Sequence, residues 1–418
     1  MTTDCPPSEW KRAPLKQCCF RPEYGYTASA SEKPIGPKFL RITDIQNGCV
    51  DWGKVPYVAT REEGAKNYFL EAGDIVIARI GATTGKAYLV KECPEAVFAS
   101  YLIRVRTKPG LLPEFLNLWL QTGEYWQHIN RHKGGRLKGG VNLPILENLE
   151  IPLPRPLEQE VIARLLDAVQ KAKEAREREL ALERERKAAL MEYLFTHGTR
   201  GEPTKQTEIG EIPEGWLVER LCAVAKIRYG LGQPPELDSQ GVPMIRATDI
   251  KRGRVLPSGI IRVKRAAIPQ ARNPYLRKGD IIVVRSGAYT GDVAMYDGRW
   301  EAAVAGYDLV VSPFEGGVES YFLSQFLLGE RTQRYFRSQR DRAAQSHLNA
   351  QQLGETLMPL PPREEQEQIG GLLLVCNSKV EALERESTVL DELFSAMLED
   401  LMTGRLSALP LIEEHQVQ

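Results

Sequence analysis

GDIVIARIGATTGKAYLV, residues 73–90, returns as GDIIVVRSGAYTGDVAMY, residues 279–296. Each is a short apolar run between glycine turns, the pattern of a buried strand. Two such segments half a chain apart mark a duplicated unit. Upstream, FLRITDI from Phe39 returns as MIRATDI from Met244, and Trp10 through Leu15 aligns with Trp216 through Leu221. Downstream, Phe115-Leu116 matches Phe322-Leu323, and Asn142 matches Asn349. IPLPRPLEQEVIARLL from Ile151 matches MPLPPREEQEQIGGLL from Met358, and MEYLFTHG from Met191 is answered by LEDLMTG from Leu398. The chain is two copies of one plan.

Each copy begins with short β-like runs, such as 74–78 and 281–284, punctuated by Gly and Pro, and adds helical stretches near 115–129 and 321–336. This predicts a mixed α/β domain. A strap follows, Pro152-Leu153-Pro154-Arg155-Pro156 or Pro359-Leu360-Pro361-Pro362, which cannot continue a helix and marks a boundary. Beyond it lies a long helix without Pro. In the second copy Ile369, Leu373, Cys376, Val380, Leu383, Ser387, Leu390, Phe394, Met397 and Leu401 alternate by four and three residues, a coiled-coil seam. The first copy offers Ile162, Leu166, Val169, Leu180, Leu190 and Leu194, but interposes Lys173, Arg176, Glu183 and Lys187. Two seams of equal length are expected to pack on each other as a rod of about 55 Å. The alternative is that each helix only closes its own domain.

Composition narrows the function classes. A chain of 418 residues is long enough for two or three cores, and 55 basic against 55 acidic residues give no global attraction to nucleic acid. No apolar stretch reaches the roughly 18 residues of a membrane span, and MTTDCPPSEWKR lacks an apolar signal core, so a cytoplasmic protein without a membrane partner is expected. Cysteines at 5, 18, 19, 49, 93, 222 and 376 form no CxxC pair, which predicts reduced packing residues.

The strings IPEGW at 212–216 and LPRPLEQEVIARLL with its partner LPPREEQEQIGGLL, set in a plan given twice, closely resemble the specificity subunit of Type I restriction-modification systems. The resemblance covers nearly the entire chain. It implies two target recognition domains, 1–157 and 201–361, and spacer helices at 158–200 and 362–418, the latter with the tail. It further implies that the chain reads a split site on double-stranded DNA and docks two methyltransferase subunits, with restriction subunits joining. Those partners would use S-adenosylmethionine, ATP and Mg²⁺ to modify adenine or cleave DNA, and this chain would hold no cofactor. Antiparallel helices would relate the domains by a pseudo-twofold axis, as in dimeric DNA readers. Because the copies differ in most surface residues, a bipartite, non-palindromic target is expected. A DNA-reading adaptor of another modification defence system, a self-sufficient methyltransferase or nuclease, and a scaffold that never touches DNA are the competing classes.

Residues 251–279 carry nine Lys or Arg and no acid, among them Lys251, Arg252, Arg254, Arg262, Lys264 and Arg265. Such a run is expected to neutralise phosphates and fix register without reading sequence. The matching stretch 46–73 sets Lys54, Arg61 and Lys66 against Asp51, Glu62, Glu63 and Glu71, so the second domain should grip the backbone harder. Further basic stretches are Arg131, His132, Lys133, Arg136 and Lys138, and Arg331, Arg334, Arg337, Arg340 and Arg342; both are expected at DNA. Gln345, Ser346 and His347, with Lys138, Gly139 and Gly140 opposite them in the first copy, are candidate base readers. Arg79 and Arg285, shared by the copies, are expected to position rather than discriminate. The Thr43-Asp44 and Thr248-Asp249 pairs are expected to satisfy turns.

Catalytic patterns fail. Gly81-Ala82-Thr83-Thr84-Gly85-Lys86 lacks the first glycine and the final Ser or Thr of a phosphate loop. His128 and His132 have zinc-helix spacing, but Ile129 stands where a catalytic Glu would be, and no metal site is expected. Asn273-Pro274-Tyr275 has only one of the two prolines of an amino-methyltransferase site. No catalytic residue is assigned.

Overall fold

In a computed structural model of the chain, the described residues are 10–46, 48–59, 63–132, 140–232, 235–269, 273–342, 347–408 and 410. The chain forms two compact units, one built from Met1–Glu177 with Arg385–Gln418, the other from Arg178–Glu384. This division runs through both long helices, Pro156–His197 and Arg363–Met402, not at the proline straps.

In the first unit the repeated GDI strand, Ile75–Ala78, sits inside an antiparallel sheet. Leu102–Val105 and Ala87–Leu89 flank it, and Glu23–Tyr24 adds beyond Leu102–Val105. A second sheet pairs Lys38–Leu40 in parallel with Ala96–Phe98 and antiparallel with Tyr57–Val58. Every residue of Ile75–Ala78 is buried, because sheet and helices cover both faces. That is why this strand reads as a continuous apolar run.

The second unit repeats the plan. Ile281–Val283 lies between Leu309–Pro313 and Val293–Met295, with Ala225–Tyr229 beyond. Leu237–Ile245 pairs antiparallel with Ile261–Val263 and parallel with Val304–Ala305. Two residues shared by the copies are helix caps: Asn142 accepts from the Ile145 N–H, and Asn349 from the Gln352 N–H. In both TDI motifs the Asp closes a turn, Asp44 accepting from Arg41 and Asp249 from Arg246 through backbone and guanidinium alike.

The glutamine of the Glu-Gln pair heading each long helix latches that helix to its domain. Buried Gln159 accepts from the Leu112 N–H at 2.7 Å and donates to the Gly110 and Pro154 carbonyls. Gln366 does the same in the second unit, accepting from the Glu319 N–H and donating to the Pro361 carbonyl.

Within each unit a stretch of one long helix runs antiparallel to a stretch of the other. In the first, Ile162 and Leu166 share a core with Leu398 and Leu401, and Phe394 and Met397 pack against it. In the second, Leu180 packs with Val380 and Leu383, while Leu194 and Leu373 join the core around Trp216 and Phe322, with Leu190 at its edge. Val169 and Leu390 are half-buried. The polar residues that interrupt the first seam have partners: Lys173 pairs with Asp391 and Arg176 with Glu386 in the first unit, and Glu183 with Lys379 in the second. Burial of Lys187 holds its ammonium below the usual lysine range.

Candidate nucleic-acid interface

Where Ile281–Val283 ends, the chain turns outward at Arg285. Its backbone is fixed on both sides: the N–H donates to Asp308 Oδ1 at 3.3 Å and the carbonyl accepts from the Leu348 N–H at 2.8 Å. The guanidinium lies over two rings, 5.0 Å from the centroid of Tyr229 and 4.5 Å from that of Tyr307. Such contacts hold a cation without neutralising it. Gly230 permits the arrangement, since a Cβ there would lie 2.3 Å from the Gly306 carbonyl oxygen.

Arg228, Tyr229, Gly230, Arg285 and Tyr307 line a hollow of about 590 Å³. A second hollow, of about 440 Å³, shares Tyr307 and adds Arg246, Thr248, Ser286 and Asp308. Arg228 is tied to Asp280, Ser312 and the Tyr275 carbonyl, so it builds the wall. Arg285 Nε is buried with no hydrogen-bond partner among the described residues.

Burial pushes the Asp308 carboxyl up to about 6, against the opposing pull of the Arg285 N–H and charge. A raised carboxyl favours folding while it is protonated; that contribution is full near pH 4 and is lost as pH rises through about 6. Asp308→Asn is therefore expected to stabilise the second unit at pH 8 by up to about 3 kcal/mol and to leave it nearly unchanged at pH 4. Calorimetric unfolding at both pH values checks this. Equal shifts at the two would contradict it.

The first unit builds the same feature. Arg79 lies over Tyr24 at 4.5 Å, its N–H donates to the Tyr101 carbonyl, and its own carbonyl accepts from the Val141 N–H. Gly25 plays the part of Gly230, with a Cβ contact of 2.2 Å to the Ala99 oxygen. The difference lies in the surroundings, where Leu102 stands in place of Asp308 and Ile80 in place of Ser286. The two tyrosines of each site escaped the sequence reading. Their signal is a Tyr-Gly pair given twice, at 24–25 and 229–230, and Tyr101 matching Tyr307.

The basic run of the second domain divides. Arg252 and Arg254 sit on a tight hairpin, Ile250–Lys251 with Arg254–Val255, whose turn takes positive φ at Arg252 and Gly253. Arg252 pairs with Glu384, and Arg254 reaches both Glu381 and Glu384 at 3.0–3.1 Å. Arg184 meets the same Glu384. Arg252 and Arg254, both expected at phosphates, thus have acidic partners on the long helix while their side chains stay partly exposed. Lys264 pairs with Glu236 at the surface, and Arg262 donates to the Gly241 carbonyl. Lys251 and Arg265 are exposed. Arg331 is also used internally, donating to Glu192 and Thr196 of the first long helix, and Arg334 and Arg337 pair with Glu330.

Lys133, Arg136, Lys138, Gln345 and Ser346 lie outside the described residues, as do the side chains of Arg340 and Arg342. His347 bridges Ser286, and its buried Nδ1 has no partner among the described residues. The His128 and His132 rings lie 4.2 Å apart, tilted by 30°, with His128 Nε2 near the Ile145 carbonyl and His132 Nδ1 near the His128 carbonyl. No group of three or more His, Cys, Asp or Glu that could hold a metal ion occurs among the described residues, and none of the described helices is long and apolar enough to cross a membrane.

Comparison with known proteins agrees with the duplication. The family described as Type I restriction modification DNA specificity domain matches residues 7–184 and again 213–388. A Methanocaldococcus jannaschii protein named for the specificity subunit of type I restriction enzyme MjaX is 32% identical over 210 residues, which are 48% of this chain. The match spans about half of that relative's length, 49%. The MjaVIII specificity subunit of the same organism is 22% identical over 351 residues, 82% of this chain and 81% of that protein. Among solved structures, the S subunit of a Type-I restriction-modification system from M. genitalium has a similar fold, with a TM-score of 0.63 at 13% identity, covering 96% of this chain and 98% of that one.

Proposed function

Because the chain belongs to the Type I restriction modification DNA specificity domain family, we propose that it is the DNA-reading subunit of a Type I restriction-modification complex. It recognises a bipartite, asymmetric site and carries methyltransferase subunits to it. The observation that carries this reading is the arginine laid over tyrosine, built once in each copy from matching positions with unlike neighbours, and in the second unit lining a hollow. Matching cations serve a common duplex, and unlike neighbours serve unlike half-sites.

Chemistry is assigned to the partners: two methyltransferase subunits using S-adenosylmethionine, and restriction subunits using ATP and Mg²⁺. The long helices support a docking role, since each unit keeps large apolar side chains on them exposed: Leu182, Leu372 and Val375 in the second, Val389 and Leu393 in the first. A partner subunit would cover such groups.

The test is selection of a randomised duplex pool by the full chain purified with its methyltransferase. Two specified blocks separated by a fixed run of unselected base pairs are expected. A pool that stays random, or one uninterrupted block, would contradict the proposal.

A further inference from the structure

From the geometry around Arg285 we infer that this arginine reads a guanine in the half-site recognised by the second unit, and does not merely anchor a phosphate. The inference rests on the DNA-reading assignment above and adds a named residue and a named base to it.

Three observations carry it. The guanidinium is clamped by aromatic contact, with Tyr229 at 5.0 Å and Tyr307 at 4.5 Å, and no carboxylate pairs with it among the described residues. A cation held by ring contact and not by a carboxylate keeps N–H donors for a ligand, and the O6 and N7 acceptors of guanine match its fork. Next, its Nε is buried without an acceptor. Nε is thus closed to a ligand, and Nη1 and Nη2, which have no hydrogen bond or ion pair among the described residues, are the two donors left for a base.

The third observation is how the backbone is held. A phosphate anchor tolerates movement, whereas a base reader needs a fixed origin. Arg285 is held through Asp308, a buried side chain, and through Leu348. In the first unit the equivalent N–H goes to the backbone carbonyl of Tyr101, and Leu102 replaces the acid. The two copies share the arginine and seat it differently. Asp308 is thus a positioning residue that sets where the Arg285 fork points, and the copy-specific Ser286 lies beside it in the second hollow.

Arg285→Gln provides the test, because glutamine keeps a planar polar end but matches adenine. The full chain with its methyltransferase selects from a randomised duplex library, wild type and variant in parallel. At one position of one block, the preference for guanine should fall by roughly tenfold or more and shift toward adenine. The other block should be unchanged, which also shows that the variant is folded. Arg285→Ala should lose the preference at that same position without gaining adenine. If either variant keeps every specified position and only binds more weakly to all sequences, Arg285 is a phosphate anchor and the inference is overturned. A wild-type complex that selects no sequence would instead defeat the underlying functional proposal, so the two failures are distinguishable.

Discussion

Seven residues added to each long helix, after Glu179 in the first and after Lys379 in the second, are expected to widen the gap between the two DNA half-sites by roughly three base pairs. Glu179 and Lys379 face each other at 3.7 Å in the second unit, so insertions at this level meet across the pair. Seven residues are close to two helical turns and add about 10 Å of length. They also restore the heptad register, so Leu180, Val380 and Leu383 find apolar partners again. At about 3.4 Å of duplex axis per base pair, the added length converts to the stated widening. The bases specified in each half should not change, because no recognition residue is altered. Methylome sequencing of a strain carrying the insertion decides the matter. New half-sites around an unchanged gap would mean that the helices do not set the spacing.

The second large effect concerns a residue that looks equivalent in the two copies and is not. Glu365 is 3% exposed and accepts three hydrogen bonds, from Trp216 Nε1 at 2.9 Å, the Thr199 N–H at 2.9 Å and Thr199 Oγ1 at 3.2 Å. Glu365→Ala would leave the buried indole N–H and the Thr199 N–H without acceptors. The expected loss is roughly 3–6 kcal/mol from the second unit, since each of the two orphaned donors to a charged acceptor is worth about 1.5–3 kcal/mol. Glu365→Gln keeps an acceptor and should cost less. In the first unit the counterparts, Trp10 and Glu158, make no such bond: Trp10 Nε1 and Glu158 Oε1 are both buried without a partner. Glu158→Gln should therefore be nearly neutral there. Urea unfolding of the three variants beside wild type checks the contrast, and equal losses at Glu365→Gln and Glu158→Gln would refute it.

The duplication was legible in the sequence because buried strands and helix heads tolerate few residue types. The GDI strand is covered on both faces, and Gln159 and Gln366 each accept from a backbone N–H ahead of a helix and donate to a strap proline carbonyl. The helix seams and their breaks at Lys173, Arg176 and Glu183 were legible from their spacing, but what the breaks pair with was not. Their partners Asp391, Glu386 and Lys379 lie some two hundred residues away, and no local pattern links them.

The same distance hides the acidic partners of the basic run. A count of charges over 251–279 sees no acid, whereas Arg252 and Arg254 meet Glu381 and Glu384, supplied by a helix far downstream. Conversely, the site around Arg285 draws on Tyr229, Tyr307 and Asp308, which only the register of the sheet brings together. Once a repeat is known, its shared polar and aromatic positions, tested for local structural duties, are a better guide to a binding face than charge density. Asn142, Asn349, Asp44 and Asp249 are accounted for by such duties. The ring contacts of Arg79 on Tyr24 and of Arg285 on Tyr229 are not, although the Tyr229 hydroxyl also accepts from the Ala350 N–H.

Long-read mapping of modified bases in the host genome, with this gene present and with it deleted, bears most directly on whether a doubled reader directs modification. The account predicts one motif with two dissimilar specified parts around a constant unspecified interval, and its disappearance on deletion. A modification pattern unaltered by the deletion, or a motif with no interval, would contradict it.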